Sequence, residues 1–474
     1  MNVLDCVKNQ ITFFDGGMGA LLQKYGLGPG EAPENWNIDK KDIIVNVQAD
    51  YFRAGANIVI TNSFGANAIK FKNEGKHELK DVIKASVENA KEARKIVEAE
   101  GNTAPHFVAF DVSATGKLIE PLGDLSFDEA LKCFEETIGY ALEAGPDLII
   151  IETMTDIFEA KVALLAAKKL AKIPVFVTCA FDDKSRLLTG SEVEEVVAVL
   201  EGLGADAVGI NCSLGPEQMK PMVGKFVKYA SVPVIVNPNA GLPRMEDGKT
   251  FYDVTPDIFA GLVSEFAKMG VSIVGGCCGT THDHIKALVK ACENIEAAKL
   301  TDKGKSFIAS ATRVFDLNTD EITIGCAINP DNSDIKEAID DEDLDAFVDE
   351  AMDQADDDID VIGINVGESP ILKDVILEVQ GMVKNPFMIE CKDEKLLGQA
   401  LSCVNGKALV KLESEDIKNK PELLKTVKNF GGLIFVSDVD QGDVSKVGAL
   451  SEEAKKAGLN KKDIVFNCDR IKFA

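Results

Sequence analysis

The feature that most constrains the fold is a rhythm that recurs eight times in roughly the first 300 residues. Each repeat opens with a short β-branched apolar run that ends in Gly, Asn, Asp or Ser, and a helical stretch rich in Ala, Glu and Lys follows. Continuous apolar strands that alternate with amphipathic helices indicate a parallel sheet covered on its outer face. Eight units predict a closed (β/α)8 barrel rather than an open sheet, and no GxGxxG follows the first strand. The strands are predicted to begin near Ile11, Ala56, His106, Asp147, Pro174, Ala207, Pro233 and Ser272.

A polar linker at residues 300–305 (LTDKGK) separates this region from a second one. The second region repeats the rhythm more weakly, with six strand candidates: EITIGCAINPD, DVIGINVGES, PFMIECKD, ALVKLESE, GLIFVSDVD and DIVFNCD. Six strands are too few for a standard eight-unit barrel, so this one is either incomplete by nature or truncated. We therefore predict an α/β protein with a (β/α)8 TIM barrel in residues 1–300 and a smaller, incomplete α/β barrel-like domain in residues 301–474.

The composition is that of a soluble globular protein, with 46% hydrophobic and 27% charged residues. No apolar run reaches the ~18 residues of a membrane span and no secretory signal is recognised, so a cytoplasmic location is expected. The net charge of −27 argues against nucleic acid or anionic lipid as a partner, because no basic face neutralises phosphates. Residues 331–360 hold 15 Asp or Glu and one Lys, either as a solvated helix face or as a docking surface for a protein partner.

Polar side chains mark the ends of the strand candidates in the first region. In a (β/α)8 barrel the carboxyl ends of all strands converge on one face, and active sites are built there. We therefore expect eight residues to surround one cavity although more than 250 positions separate the first from the last: Asp15, Asn62, Ser113, Glu152, Asn211, Cys212, Asn239 and Cys277.

Three of the 11 cysteines stand apart from the rest, most of which lie in apolar runs where cysteine is usually a small buried hydrophobe. Cys277 and Cys278 are adjacent in GGCCGTT after the eighth strand, and Cys212 follows the sixth (GINCSLG). Adjacent cysteines do not easily form a disulfide, but at a Gly-rich turn both can face one ion. Three thiolates with one open position are typical of a catalytic zinc site, which activates a bound thiol as a nucleophile. The alternative is simple packing of the pair at a buried strand end.

Six motifs in this order, FDGGMGA, TNSFGAN, ETMTD, GINCSLGP, VNPNAG and GGCCGTT, span about residues 10–295. They resemble the homocysteine-binding domain of cobalamin-dependent methionine synthase and its relatives. The resemblance implies a zinc barrel that binds homocysteine and methylates its sulfur. It also implies that Cys212, Cys277 and Cys278 are zinc ligands, and that Asn239 fills the fourth position until the thiol displaces it.

The same resemblance assigns substrate contacts. Asp15 and Glu152 match the acidic residues that hold the substrate ammonium; the alternative is that they cap loop N–H groups. Asn62 and Ser113 are predicted to line the substrate site as well, although Asn62 could equally fix a loop by hydrogen bonds. His282 is not needed as a ligand, and a place at the start of a helix is expected for it.

The second region resembles, weakly, the pterin-binding barrel of methionine synthase. Its polar positions differ from that family: Gly363 replaces Asp, Lys411 replaces Asn and Asn467 replaces Asp, while Glu390, Cys391 and Lys392 replace Asp-Ser-Ser. A pterin edge is held by matched donors and acceptors, so we expect this domain not to bind methyltetrahydrofolate. Nothing like the DxHxxG loop of a cobalamin-binding module occurs, so cobalamin is expected only on a partner protein.

The expected activity is S-methylation of homocysteine to methionine, with a separate methylated corrinoid protein as the methyl donor in trans. One alternative is a methyltransferase that uses a small donor such as S-methylmethionine or betaine. Thr153, which follows Glu152, argues mildly against betaine, because an aromatic residue is usual there in that type of enzyme. The other alternative is a zinc-bearing scaffold without catalysis.

Overall fold

The computed structural model describes residues 2–73, 75–246 and 249–474. They fall into two compact units: Met1–Lys117, Asp128–Thr189 and Ala205–Asp302 form the first, and Leu118–Phe127, Gly190–Gly204 and Lys303–Ala474 form the second. The two short segments 118–127 and 190–204, which the sequence places in the N-terminal domain, thus group with the second unit. The domain boundary at residues 300 and 301 stays a prediction.

The first sheet is a ring of eight parallel strands. Its strands are β1 (Thr12–Phe13), β2 (Ile58–Ile60), β3 (Phe107–Ser113), β4 (Leu148–Met154), β5 (Val175–Cys179), β6 (Ala207–Asn211), β7 (Val234–Asn237) and β10 (Ile273–Val274). Between β7 and β10 the chain forms a separate antiparallel hairpin of β8 (Arg244–Glu246) and β9 (Lys249–Phe251). The order is β1-β10-β7-β6-β5-β4-β3-β2, and a parallel bridge between Phe14 and Ile58 joins the two ends of that series. The predicted (β/α)8 barrel is confirmed, and each of its strands begins within two residues of the predicted position.

Helices alternate with these strands, as the rhythm predicts. They are α1 (Val3–Asn9), α2 (Met18–Lys24), α3 (Trp36–Asp39), α4 (Lys41–Ala54), α5 (Leu79–Ala99), α6 (Phe127–Ala144), α7 (Ile157–Leu170), α8 (Val193–Gly202), α9 (Pro216–Tyr229), α10 (Pro256–Met269) and α11 (His282–Cys292). α4 and α10 each end at a glycine with positive φ, Gly55 at 104° and Gly270 at 111°, a cap conformation that costs glycine least. In the described part of the chain, no helix is long and apolar enough to cross a membrane.

The interior of the first barrel is filled by alternate residues of its strands, because successive side chains of a strand point to opposite faces. This layer is apolar: Phe14, Ile58, Phe107, Ala109, Leu148, Ile150, Phe176, Ala207, Ile235 and Ile273. α1 adds Val3, Cys6 and Val7 to the same cluster. With seven residues α1 is too short to be stable alone, so this packing holds it as a cover over the amino ends of the strands.

The second unit contains a parallel sheet of seven strands. After the antiparallel hairpin β11 (Phe307–Ala309) and β12 (Val314–Asp316) come β13 (Ile322–Ile328), β14 (Val361–Ile364), β15 (Phe387–Ile389), β16 (Leu409–Leu412), β17 (Leu433–Asp440), β18 (Ile464–Asn467) and β19 (Ile471–Phe473). The order is β18-β17-β16-β15-β14-β13-β19. The smaller barrel-like sheet is confirmed, but the count of six was wrong, since β19 adds a seventh strand beside β13.

The helices of this unit cover the outer face of the sheet. They are α12 (Ser333–Asp341), α13 (Leu344–Asp356), α14 (Leu372–Met382), α15 (Glu394–Cys403), α16 (Ser414–Asn419), α17 (Pro421–Asn429) and α18 (Val444–Lys456). The acidic stretch 331–360 contains α12 and α13, which bury Ile335, Ala338, Phe347 and Ala351. Of its 15 Asp and Glu residues, 13 are exposed and two, Glu350 and Asp360, are partly buried.

Candidate functional site

Three cysteine sulfurs meet at the carboxyl end of the first barrel. The Sγ atoms of Cys212, Cys277 and Cys278 all lie within 4.8 Å of one another, and those of Cys212 and Cys278 are 3.8 Å apart. Two sulfurs bound to one tetrahedral zinc at ~2.3 Å each would be about 3.8 Å apart. Across the described residues, this trio is the group of metal-ligating side chains that the structure brings together. The donor set and its spacing therefore fit a zinc ion with a fourth position left open.

A strained turn aims the thiol of Cys212 at this point. β6 ends at Asn211, and both Cys212 and Ser213 have positive φ, 58° and 59°. For residues with a Cβ this conformation costs about 1–2 kcal/mol each, so surrounding contacts must hold it. The Cys212 N–H donates to the Asn237 carbonyl at 3.1 Å and thereby ties the turn to the end of β7.

A second turn after β10 presents the adjacent pair. The Cys277 N–H donates to the Pro238 carbonyl at 2.9 Å, and the Cys278 N–H donates to Oδ1 of Asn239 at 3.0 Å. The next residue, Gly279, has φ 80°, and a Cβ there would lie 2.2 Å from the ring of Tyr252. Only glycine fits this position, which explains why the turn can bring two neighbouring thiols to one side.

The thiols are electrostatically coupled. Hydrogen bonds from the thiols of Cys212 and Cys277 lower the pKa of Cys278 to about 3, and the Tyr252 hydroxyl also donates to its sulfur. Hydrogen bonds to Cys212 and Cys278 raise the pKa of Cys277 well above its usual range. The trio thus favours one thiolate held by its neighbours, and a bound cation would displace the remaining protons.

Two carboxylates predicted to hold an ammonium lie in the same barrel end. Asp15 follows β1 and is buried, and its Oδ2 accepts the Ile60 N–H at 2.9 Å. Glu152 lies on β4, and the Asn211 side-chain amide donates to its Oε2 at 3.3 Å. Burial raises the pKa of Asp15 well above its usual range, and the charge of Glu152 adds to this. Burial raises the pKa of Glu152 to about 7, with the Cys278 sulfur contributing. Both shifts indicate a site short of positive charge.

Asn62 and Ser113 are placed at the same end, but their hydrogen bonds go to a loop. The Asn62 amide donates to the Pro33 carbonyl at 2.8 Å, and the Ser113 hydroxyl donates to the Phe64 carbonyl. These bonds fix the segment that follows β2, and a role of either residue in substrate binding stays a prediction. Asn239, the predicted fourth ligand, already accepts one hydrogen bond at Oδ1, although a carbonyl oxygen has a second lone pair.

Sequence reasoning missed two residues of this region. Asp111 lies inside β3 rather than at its end, and it is buried on the inner face two residues after Ala109. Strand alternation could have found it. Tyr252, which contacts Cys278, lies just beyond a hairpin whose sequence gives no such signal.

The two histidines after the cysteine turn lie in the first turn of helix α11. His282 is the first residue of α11, as expected, and His284 in the same turn accepts the Thr281 N–H at Nδ1, 3.2 Å away. Nε2 of His284 lies 3.0 Å from the Val254 carbonyl, to which it donates. Both ring nitrogens of His284 are therefore engaged away from the sulfurs.

Comparison with known proteins agrees with this geometry. A family model described as homocysteine S-methyltransferase matches residues 12–292. Over 98% of its length the chain is 27% identical to the methionine synthases of Mycobacterium tuberculosis and Mycobacterium leprae, of which it covers 41% and 42%. The chain thus spans about two fifths of the length of these relatives. The crystal structure of the homocysteine methyltransferase MmuM from Escherichia coli, metallated form, matches 60% of this chain and 97% of its own, with 25% identity and a TM-score of 0.53.

Proposed function

The chain belongs to the homocysteine S-methyltransferase family, and from this membership we propose that it is a zinc-dependent enzyme that converts homocysteine to methionine. The observation that carries the proposal is the convergence of three sulfurs, with the 3.8 Å spacing between Cys212 and Cys278, in the same barrel end as the buried carboxyl of Asp15 and the partly buried carboxyl of Glu152. A structural zinc site would have four protein ligands; three sulfurs leave a position for a substrate thiol.

The cysteines supply the activation of the substrate. Zinc held by three thiolates would keep a fourth sulfur deprotonated near neutral pH, where a free thiol with a pKa of about 8.5 is mostly protonated. The turns at Cys212 and Gly279 fix the three sulfurs in advance, so that little reorganisation is needed when the thiol binds.

The carboxylates position the other end of the amino acid. Asp15, which is buried, and Glu152, which is partly buried, provide acceptors for an α-ammonium. Asn211 holds Glu152 through its side-chain amide, while its own Oδ1 accepts the Thr153 N–H at 2.9 Å. A substrate held at both its sulfur and its nitrogen is aligned for an in-line displacement at the methyl group of the donor.

For the methyl donor we propose a separate methylated corrinoid protein. Support comes from the match along nearly the whole chain to parts of proteins named methionine synthase, and from the exposed acidic stretch 331–360, which offers a docking surface. A small donor is the second candidate: the Escherichia coli homocysteine methyltransferase is matched over 97% of its length by 60% of this chain, so a single barrel suffices for that protein.

The test is turnover of homocysteine by zinc-loaded protein with each donor in turn: methylcobalamin, free and on a corrinoid protein, S-methylmethionine and betaine. We expect methionine from the corrinoid donors. Turnover with S-methylmethionine alone would show that the methyl donor is a small molecule rather than a corrinoid protein. If zinc is bound but no donor gives turnover, the chain would be a zinc-bearing scaffold without catalysis.

The role of the acidic stretch can be tested separately. Raising the salt concentration from about 0.05 to 0.5 M reduces the screening length to a few ångströms. Transfer from the corrinoid protein should then slow, because exposed charges steer association, while transfer from free methylcobalamin should change little. Equal sensitivity of both reactions would leave 331–360 as a solvated surface.

A further inference from the structure

Two carboxylate oxygens at the carboxyl end of the first barrel are buried without a partner among the described residues. They are Oδ1 of Asp15 and Oδ1 of Asp111, and each side chain is only 2% exposed. A buried acceptor left without a donor costs about 1–3 kcal/mol, and more when it is charged. Such groups are rare in native proteins and call for an explanation, such as a donor that arrives with a ligand.

Asp111 faces the interior of the barrel. It lies on β3 two residues after Ala109, which belongs to the interior cluster, so strand alternation points both side chains the same way. Asp111 pairs in register with Ile150 of the neighbouring β4, and Glu152 follows two residues later on the same face of that strand. On the other side, β2 separates β3 from β1, and its Ile60 N–H binds Asp15. The three carboxylates therefore lie on one side of the carboxyl end of the barrel, on or just beyond the strands β1, β3 and β4.

The electrostatics of Asp111 agree with this arrangement of the strands. Burial raises the pKa of its carboxyl well above the usual range, and the charges of Glu152, Glu34 and Asp15 add to this in that order, while Lys70 opposes it. A buried cluster of carboxyls is stabilised most by a cation that also donates hydrogen bonds. A primary ammonium has this chemistry, with three N–H donors and no acceptor.

We infer that Asp111 is a third carboxylate of the ammonium subsite, whose unpartnered oxygen accepts a hydrogen bond from the α-ammonium of homocysteine. This inference rests on the proposed function and extends it. The three donors of the ammonium are thereby matched by Asp15, Asp111 and Glu152, and Asp111 selects α-amino thiols against thiols of the same length that lack the amine. Asp111 lies on a strand rather than a loop, so its position is fixed by the sheet.

The test is a pair of ligands measured on a pair of variants. Homocysteine and 4-mercaptobutanoate have the same carbon chain, thiol and carboxylate, and only the first has the amine. In zinc-loaded Asp111→Asn we expect homocysteine to bind roughly tenfold to a hundredfold more weakly, as for the loss of one charged hydrogen bond, and 4-mercaptobutanoate to bind as before or better. The dissociation constant of 4-mercaptobutanoate divided by that of homocysteine, measured by calorimetry, should therefore fall.

Glu159→Gln is the matched control. Glu159 is also a buried carboxyl of the first unit, but its Oε1 is occupied by the N–H and hydroxyl of Thr115. This variant should keep the wild-type ratio even if it is less stable. A ratio that stays within about threefold of wild type in Asp111→Asn would overturn the inference, because a buried water or a structural role would then account for the orphan oxygen.

Two further measurements keep the outcomes distinct. If Asp111→Asn fails to fold, Asp111→Ser and a crystal structure of the wild-type protein with homocysteine decide the question: the ammonium nitrogen should lie about 3 Å from Oδ1 of Asp111. A nitrogen bound only by Asp15 and Glu152 would refute the inference and leave the proposed function intact. Wild-type protein that holds zinc and does not bind homocysteine would instead refute the proposed function.

Discussion

The carboxyl ends of the two barrels differ in whether their polar side chains have hydrogen-bond or ion-pair partners. In the first, acceptors of Asp15 and Asp111 have no partner within the described chain, and three thiols converge on one point. In the second, Met388 and Leu409 belong to the apolar interior, and the residues two positions further along the chain, Glu390 and Lys411, form an ion pair. Lys411 Nζ lies 2.8 Å from Glu390 Oε2. The first barrel thus has buried acceptors without donors at its carboxyl end, whereas in the second barrel the polar groups at this end pair with each other.

Neighbouring groups in the second barrel follow the same rule. Lys392 pairs with Glu413 at 2.9 Å, and the Ser414 hydroxyl donates to Asp438 at 2.6 Å. A ligand that enters here must first break pairs that are already made, whereas a ligand entering the first barrel supplies donors that are missing. Function follows the unsatisfied groups rather than the fold, and four predictions test this contrast.

The largest effect is expected at the sulfurs. Wild-type protein should hold about one zinc per chain, and Cys277→Ala or Cys278→Ala should release it and reduce methyl transfer to background. The fold should survive, because the interior layer beneath the site is apolar and complete. Cys292→Ala, at a buried cysteine at the end of α11, is the control and should keep its metal. Full zinc in both site variants would disprove the assignment.

A smaller loss is expected at Glu152. Glu152→Gln removes the charge that we propose faces the substrate ammonium, and it changes none of the three cysteines. Homocysteine affinity should therefore fall roughly tenfold to a hundredfold at unchanged zinc content. Calorimetry and metal analysis on the same sample measure both. An unchanged dissociation constant would mean that Glu152 only braces Asn211.

In the second barrel, breaking the ion pair should cost little. The side chains of Lys411 and Glu390 are 30% and 28% exposed, and pairs of this kind contribute about 0–1 kcal/mol. Lys411→Met should therefore shift the urea midpoint slightly and leave homocysteine methylation unchanged. Lys472→Met, which breaks a more exposed pair with Glu321, is the comparison variant and should change nothing measurable. A loss of more than about 3 kcal/mol at Lys411 would indicate a buried network rather than a surface pair.

The smallest expected effect is none at all. Titration of the whole chain with methyltetrahydrofolate at millimolar concentration should release no heat of binding. By the resemblance to the pterin-binding barrel, Gly363 and Lys411 stand where that family carries groups that pair with a pterin edge. Homocysteine on the same sample provides the positive control. Micromolar folate binding would contradict the contrast between the barrels and make methyltetrahydrofolate a candidate source of the methyl group.

The architecture of the first barrel was largely readable from the sequence, because each strand is a continuous β-branched run with a helix after it. β19 was not: it is three residues long and follows β18 after a short turn, so it resembles a chain end until its pairing with Ile322 is seen. The role of α1 was also hidden, since a seven-residue helix carries no signal for what it covers.

Site residues were predicted where the residue type itself indicates the chemistry, and they were missed where the role depends on which way the side chain points. Adjacent cysteines in a Gly-rich turn are recognised directly from the sequence. Asp111 sits within an apolar strand, and nothing but the alternation of the strand shows that its carboxyl points inward. Conversely, Asn62 is polar and at a strand end, yet its amide is engaged with the Pro33 carbonyl, a partner 29 positions away that no local pattern reveals.

The helix α1, which covers the amino ends of the strands with Val3, Cys6 and Val7, has a kinetic consequence. A barrel closed at one end has one entrance, and whatever reaches the sulfurs passes through it. In the proposed reaction the amino-acid thiol binds deeper and must arrive before a bulky methyl donor covers the opening. Methionine would then depart only after the demethylated donor has withdrawn. Steady-state measurements should therefore show an ordered sequential mechanism, in which methionine, released last, is a competitive inhibitor against homocysteine and the demethylated donor gives mixed inhibition against both substrates.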